Sequence, residues 1–362
     1  MSAFEINILG ASGGPLDGGN QGILLSEAGS DASKKYICID AGSGLRQIAS
    51  MLNNTAKIKN TEREFLCKED MTESLFENLE EPVGCFLDKS SRIMRGLGPS
   101  VTPRDGESIM TLALRVFNKI EECYITHPHL DHVAALAINT PACNSNGKSI
   151  WGLRPTVEAL KNHIFNDVIW PNLLEEPRMK LRVNSLEEAQ RHKVSCIPNW
   201  FITPLRLMHG VTVHGSKPCP STAYLVEDNA TKNALLVFGD LESDLISRRR
   251  FVSNVWRHLS KVVAFEKLKA IVIECSSPNA TKDEHLFGHL SPKYLVHELK
   301  SLSKVYGRPL DGIHVIIVHV KMASGGRDPR LVILDEVRQL AAAEGLGELF
   351  ISIAIEGYTF VV

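Results

Sequence analysis

The chain has no uninterrupted run of about eighteen apolar residues, so no segment reads as a membrane-spanning helix. It has no CxxC pair either. Its eight cysteines (Cys38, Cys67, Cys85, Cys123, Cys143, Cys196, Cys219 and Cys275) are scattered along 362 residues, which fits neither a thiolate zinc site nor a small disulfide scaffold. We read them as reduced thiols, although the even count leaves disulfides open for a secreted protein. A surplus of one charge is also missing. With 40 Lys+Arg against 42 Asp+Glu the formal charge is −2, which argues against the counterion-release grip used on long nucleic acid. No GxxxxGK[ST] occurs, which excludes a P-loop nucleoside triphosphatase. The opening Met1-Ser2-Ala3-Phe4-Glu5 lacks the basic, apolar and cleavage regions of a signal peptide, and a cytoplasmic location is expected.

What is present is an ordinary globular composition, 44% hydrophobic and 23% charged, unlike that of disordered or fibrous chains. At about 150 residues per domain, the length makes two domains or one large one with insertions. We read a single domain over 1–362 with a mainly helical insertion at about 47–123, where longer charged segments interrupt the strand pattern.

Phe4 to Leu9 alternates apolar and polar residues before Gly10-Ala11-Ser12-Gly13-Gly14-Pro15, a strand running into a tight turn. Ile23 to Leu25 and Tyr36 to Ile39 read as hairpin strands, the second stopping at Asp40. Short apolar runs follow at Phe201 to Met208, Ser221 to Val226, Ala234 to Phe238, Ile271 to Ile273 and Val315 to Val318, and several end in His or Asp. Helical patterns cover Ser291 to Leu302 and Arg330 to Ala343, the former with Ser291 at N-cap and Pro292 at N1. Strands alternating with helices on this scale suggest two sheets packed between helical layers.

The densest polar cluster is His127-Pro128-His129-Leu130-Asp131-His132, three imidazoles and a carboxylate in six positions between a strand and a helix. Imidazole and carboxylate suit Zn²⁺, Mn²⁺ or Fe, and a short loop can aim them at two neighbouring metal positions.

This HxHxDH spacing is that of the metallo-β-lactamase superfamily, which the chain resembles further along in the same order. Leu207-Met208-His209-Gly210 resembles the third metal motif, Leu235-Leu236-Val237-Phe238-Gly239-Asp240 the fourth, and Ile316-Ile317-Val318-His319 the fifth. Asp40, in Ile39-Asp40-Ala41-Gly42, matches the first motif, where an aspartate supports the metal loop without binding metal. The resemblance implies a four-layer αββα sandwich. It also implies two divalent metal ions per chain, zinc foremost, with manganese or iron as alternatives. His127, His129 and His209 would hold one, Asp131, His132 and His319 the other, and Asp240 would be shared. Such a pair, about 3.5–4 Å apart, lowers the pKa of a bridging water and stabilises both oxygens of an in-line displacement. Hydrolysis then needs no protein nucleophile, which disfavours a Ser or Cys hydrolase.

Ile273-Glu274-Cys275-Ser276 followed by Phe287-Gly288-His289-Leu290-Ser291 resembles an element of the phosphodiesterase branch, seen also in tRNA 3′-processing endonucleases. There a histidine outside the metal shell contacts the scissile phosphate and protonates the leaving oxygen. His289 and Asp131 are thus the candidate catalytic residues, unless His289 only caps the following helix or packs in its loop. A narrower likeness is to the class II cyclic-nucleotide phosphodiesterases of the fungal low-affinity cAMP type, whose signature reads here HPHLDHVAALAINTP, His127 to Pro141. It departs from the family form at Ala135, Ala137 and Thr140. The likeness continues through Ile150 to Leu153, Phe165 to Pro171, Gly288 to Pro292 and Arg327 to Arg330.

It implies hydrolysis of 3′,5′-cyclic nucleotides, cAMP and also cGMP, to nucleoside 5′-monophosphates by a dimetal-activated hydroxide. The partner is then a small molecule and no long nucleic acid, and a homodimer is expected. A tRNA 3′-end endonuclease and a non-catalytic scaffold of the same fold are the alternatives. Of the outer residues, Trp151 and Trp170 read as core or interface aromatics and Gly13-Gly14 as a tight turn. Arg327-Asp328-Pro329-Arg330 is either a salt-bridged helix start or a contact to phosphate or a partner.

Overall fold

The computed structural model describes residues 4–29, 33–58, 83–97, 101–144, 147–212, 217–322 and 326–362. The first strands are β1 (Phe4–Gly10), β2 (Gly22–Glu27), β3 (Tyr36–Ile39), β4 (Arg92–Arg95), β5 (Ile120–Tyr124), β6 (Lys148–Leu153) and β7 (Leu181–Leu186). Then come β8 (His192–Lys193), β9 (Trp200–Val211), β10 (Pro218–Asp228), β11 (Ala234–Phe238), β12 (Leu268–Glu274), β13 (His314–Val318), β14 (Phe350–Ile353) and β15 (Tyr358–Val361). One sheet runs β4-β15-β1-β2-β3-β5-β6-β7 and the other β14-β13-β12-β11-β10-β9-β8.

Period-two alternation sorts each strand's side chains between two cores. Ile37 and Ile39 of β3, Leu235 and Val237 of β11, and Ile316 and Val318 of β13 share the core between the sheets with Phe4, Ile6 and Trp200. Their neighbours face outward. Tyr36 and Cys38 meet the helices α1 (Leu45–Ile58), α2 (Ile109–Phe117) and α3 (Leu130–Asn139). Leu236, Phe238, Ile271, Ile273, Val315 and Ile317 lie under α6 (Phe251–Val262), α7 (Pro292–Tyr306) and α8 (Pro329–Ala343). Two further helices, α4 (Arg154–Ala159) and α5 (Asp244–Ser247), are short. Strands buried on both faces read as unbroken apolar runs, as Leu235-Leu236-Val237-Phe238 does. The expected αββα layering is therefore what the alternation builds.

Of the segment 47–123, residues 59–82 and 98–100 lie outside the described residues. The described remainder is not all helical: besides the end of α1 and α2 it contributes β4, paired with β15, and β5, paired with β3 and β6. The pairing of β4 spans most of the chain, and a four-residue run carries too little pattern to announce it. No helix among the described residues is long and apolar enough to cross a membrane.

The parallel strands β3, β5, β11, β12 and β13 all point their C-terminal ends to one edge of the sandwich. Open α/β sheets bind ligands outside such ends.

Candidate metal centre

Asp40 follows β3, His127 follows β5, Asp240 follows β11, Glu274 ends β12, His319 follows β13, and His209 lies near the end of β9. The loop after β5 turns into α3, so Leu130, Asp131 and His132 ride on its first turn. One ligand atom from each of His127, His129, His209 and Asp240 falls within 4.8 Å of the others, and so do those of Asp131, His132 and His319. Asp240 Oδ2 lies 3.6 Å from His127 Nε2, 3.7 Å from His209 Nε2 and 3.3 Å from His319 Nε2, while Oδ1 lies 3.4 Å from His132 Nε2. The aspartate therefore faces both groups. Asp131 Oδ2 lies 3.2 Å from His319 Nε2. Every histidine and aspartate of the expected series is gathered here.

The outward nitrogens are held. His132 Nδ1 donates to Asp40 Oδ2 at 2.7 Å and His209 Nδ1 to the Gly288 carbonyl at 2.9 Å, while His319 Nδ1 meets Ser276 Oγ at 3.0 Å and His127 Nδ1 meets Thr126 Oγ1 at 3.1 Å. A donor fixed at Nδ1 leaves the Nε2 lone pair pointing inward. Nε2 of His127 and of His132 is buried with no hydrogen-bond partner. Orphaned inward nitrogens beside shared carboxylates form a donor set that metal ions satisfy.

Burial and neighbouring charges set the charge states. Burial pushes His127 well below the ordinary imidazole range, with help from neighbouring His132, and burial brings His209 down to about 4 and lowers His129. Burial opposes ionisation of Asp131, yet its hydrogen bond with His319 and the charge of His132 bring the carboxyl to about 2. Asp240 is likewise held well below the usual range by His319, His132 and His127 in spite of its burial. Neutral imidazoles and ionised carboxylates are the forms that bind metal; His132 differs, since in spite of its burial Asp240 and Asp40 raise it well above the ordinary range, so it must give up a proton to bind.

Asp40 is fully buried with a left-handed φ of 58°, and its Oδ1 and Oδ2 accept from the Thr126 backbone N–H and hydroxyl, each at 2.8 Å. It thus joins the ends of β3 and β5 beneath His132. Gly239 packs so closely here that a Cβ on it would lie 2.4 Å from Thr126 Cβ, so only glycine can precede Asp240. Gly13 lies against the His319 ring, at the turn its sequence suggested.

His289 lies beside both groups, its ring centre 4.5 Å from that of His209 and 5.0 Å from that of His319. Its Nδ1 donates to Glu274 Oε1 at 2.9 Å. Burial disfavours its charge, but the Glu274 carboxylate more than offsets that and raises His289 above the usual range. It is no helix cap: Ser291 occupies the N-cap of α7, though without a side-chain capping bond, and its hydroxyl is buried unpartnered.

Glu274 escaped the sequence reading as a working residue. It also accepts from Leu241 N at 3.0 Å and from Ser276 Oγ at 2.6 Å, which links His289 to the Asp240 loop and to His319. Its only signal was a carboxylate ending an apolar strand. Trp151 packs on His192, with ring centres 4.2 Å apart, and Trp170 packs against the outer core. Arg327 pairs with Asp335, and Arg330 with Asp328, which caps α8. The motif is a salt-bridged helix start.

Two sheets between helical layers, with a His/Asp basin at the strand ends, define a hydrolase of the metallo-β-lactamase fold. The likeness to the metallo-β-lactamase-fold protein YhfI of Bacillus subtilis agrees on the fold, at TM-score 0.53 and 14% identity over 99% of each chain. The family model of the class II cAMP phosphodiesterases matches residues 37–357, and the chain belongs to that family. It is 38% identical to 3′,5′-cyclic-nucleotide phosphodiesterase 1 of Saccharomyces cerevisiae, over 99% of each chain. The crystal structure of unliganded yeast PDE1 superposes with TM-score 0.90 at 36% identity over 100% of each chain.

Proposed function

We propose that this chain hydrolyses 3′,5′-cyclic nucleotides, cAMP and cGMP, to nucleoside 5′-monophosphates with two divalent cations, zinc foremost. The observation that carries the reading is the pair of donor groups facing one carboxylate, Asp240, with a carboxylate-held histidine outside both. His127, His129 and His209 hold one cation, Asp131, His132 and His319 the other, and Asp240 is shared. A donor set of imidazole and carboxylate without thiolate also accepts manganese or iron. Bound there, the cations lower the pKa of a water and neutralise charge developing on the phosphate.

The chain's own residues do the rest. Asp40, Thr126, Ser276 and the Gly288 carbonyl fix which imidazole nitrogens face inward. Asp131 and Asp240 stay ionised, so the basin is prepared for cations. With Nδ1–H committed to Glu274, His289 in its protonated form presents Nε2–H outward. As the oxygen of a water that has given up a proton to solvent bonds to phosphorus and the P–O3′ bond breaks, the His289 proton passes to O3′, and a proton from solvent restores the imidazolium. General acids of this kind contribute about 10²–10⁴-fold. The Glu274 carboxylate stabilises the imidazolium and so favours the acid form.

Asp240→Ala is expected to abolish cyclic-nucleotide turnover and to lower the metal content of the purified protein. Full turnover by a metal-depleted Asp240→Ala protein overturns the proposal.

A further inference from the structure

The turn Leu286-Phe287-Gly288-His289 closes with His289 N–H donating to the Leu286 carbonyl at 3.1 Å. Both central residues have left-handed backbone, φ 52° at Phe287 and 85° at Gly288. This is the pattern of a type I′ turn, whose first central position is dominated by Gly, Asn and Asp. The glycine has a local reason, since a Cβ on Gly288 would lie 2.6 Å from the Gly210 nitrogen. The phenylalanine has none. A bulky residue at positive φ is an outlier, and this one is also 72% exposed, while Leu286 and Leu290 on either side are buried. Its ring is stacked on that of His285, with centres 6.3 Å apart and planes at 26°.

Its position explains what such a ring can do. The chain at Phe287 and Gly288 crosses directly over Gly210, the residue after His209, and His289 follows two residues on. The exposed aromatic therefore stands on backbone that packs against the residue after His209, two positions before His289. Among the described residues six other non-glycine residues have positive φ; Asp40 and His319, at 58° and 61°, belong to this site, and Asp167, Ala189, Lys232 and Arg248 do not. Strain of this kind persists where surrounding structure holds a side chain for use.

We propose that Phe287, backed by His285, is the platform on which the nucleobase of the cyclic nucleotide stacks. The inference rests on the phosphodiesterase reading and adds a binding residue to it. Stacking on an aromatic face is tolerant of base identity because every base has a π-face. Phe287 thus holds adenine and guanine alike while the phosphate lies at the metals.

The test compares cAMP with 1-O-methylribofuranose 3,5-cyclic phosphate, which keeps the ring phosphate and lacks the base. The readout is the ratio of kcat/KM for the two substrates in metal-loaded wild type, Phe287→Asn and Phe287→Trp. Asparagine suits the turn, so Phe287→Asn should melt at or above the wild-type temperature. Its ratio should nevertheless fall about tenfold to hundredfold through KM for cAMP, the range expected for one lost stacked base. Phe287→Trp should restore it. A ratio within twofold of wild type in Phe287→Asn, or an equal fall for both substrates that tryptophan does not rescue, overturns the platform. Failure of the wild type itself to hydrolyse cAMP overturns instead the phosphodiesterase reading beneath it.

Discussion

Replacing Asp40 by asparagine tests how the metal basin is held. Three donors converge on that carboxylate: the Thr126 N–H on Oδ1, and the Thr126 hydroxyl and His132 Nδ1–H on Oδ2. An amide offers one acceptor atom where two are needed. If its oxygen takes the Oδ1 place, the NH₂ faces His132 and drives the imidazole to the tautomer with hydrogen on Nε2, which cannot ligate. If it takes the Oδ2 place, the NH₂ meets the Thr126 N–H donor to donor. Either way one buried polar group is left unsatisfied, which costs about 1–3 kcal/mol. Asparagine accepts the left-handed backbone required here, so the change spares the chain path. Partners behind metal ligands are worth about 10–100-fold in metal affinity. Competitive chelator titration of Asp40→Asn should show weakening of that size at the position held by His132, with turnover falling in parallel. Affinity and turnover within threefold of wild type would refute the argument.

Glu274→Gln keeps an acceptor for His289 but removes the charge that stabilises its protonated form. kcat for cAMP should fall about tenfold or more, within the range of a general acid, while metal content and KM change little; a drop in metal content instead would make Glu274 a support of the basin alone. Glu298 on α7 accepts from Ser243 Oγ at 2.6 Å and Asp244 N at 3.0 Å, bracing the loop that follows Asp240. Burial pushes its carboxyl up to about 7 from 4.5. The folded state therefore favours the protonated form, and the stability it contributes is complete below pH 4.5 and lost as pH rises toward 7. At about 1.36 kcal/mol per unit, 2.5 units make about 3 kcal/mol. Urea melts from pH 4.5 to 7.5 should show the wild type losing up to that amount relative to Glu298→Gln; parallel curves would contradict the assignment.

Much of the candidate site was legible because its histidines and aspartates stand next to strand ends, where an apolar run stops at a polar residue. His127 to His132, Asp240 and His319 announced themselves that way, and their grouping came from the resemblance to the metallo-β-lactamase superfamily. Glu274 did not, because its partners His289 and Ser276 are local in space but carry no shared spacing. The sheets were legible in outline from apolar runs such as Leu235 to Phe238. The edge pairing of β4 with β15 was not, since it joins two four-residue runs across most of the chain. Nor could sequence show that Phe287 projects outward, because the left-handed turn that turns it out depends on Gly288 packing over Gly210. Ser291 stands at the N-cap of α7 with Pro292 following, as its sequence suggested, although its side chain makes no capping bond.

The most direct measurement is the turnover of cAMP by metal-quantified protein, with and without a chelator, with 5′-AMP and 3′-AMP resolved. The dimetal account predicts about two metals per chain, the number its two donor groups can hold. It also predicts release of 5′-AMP alone and loss of turnover with the chelator, reversed by adding metal back. Undiminished turnover at zero metal, 3′-AMP as the product, or no turnover with both metals bound would contradict it.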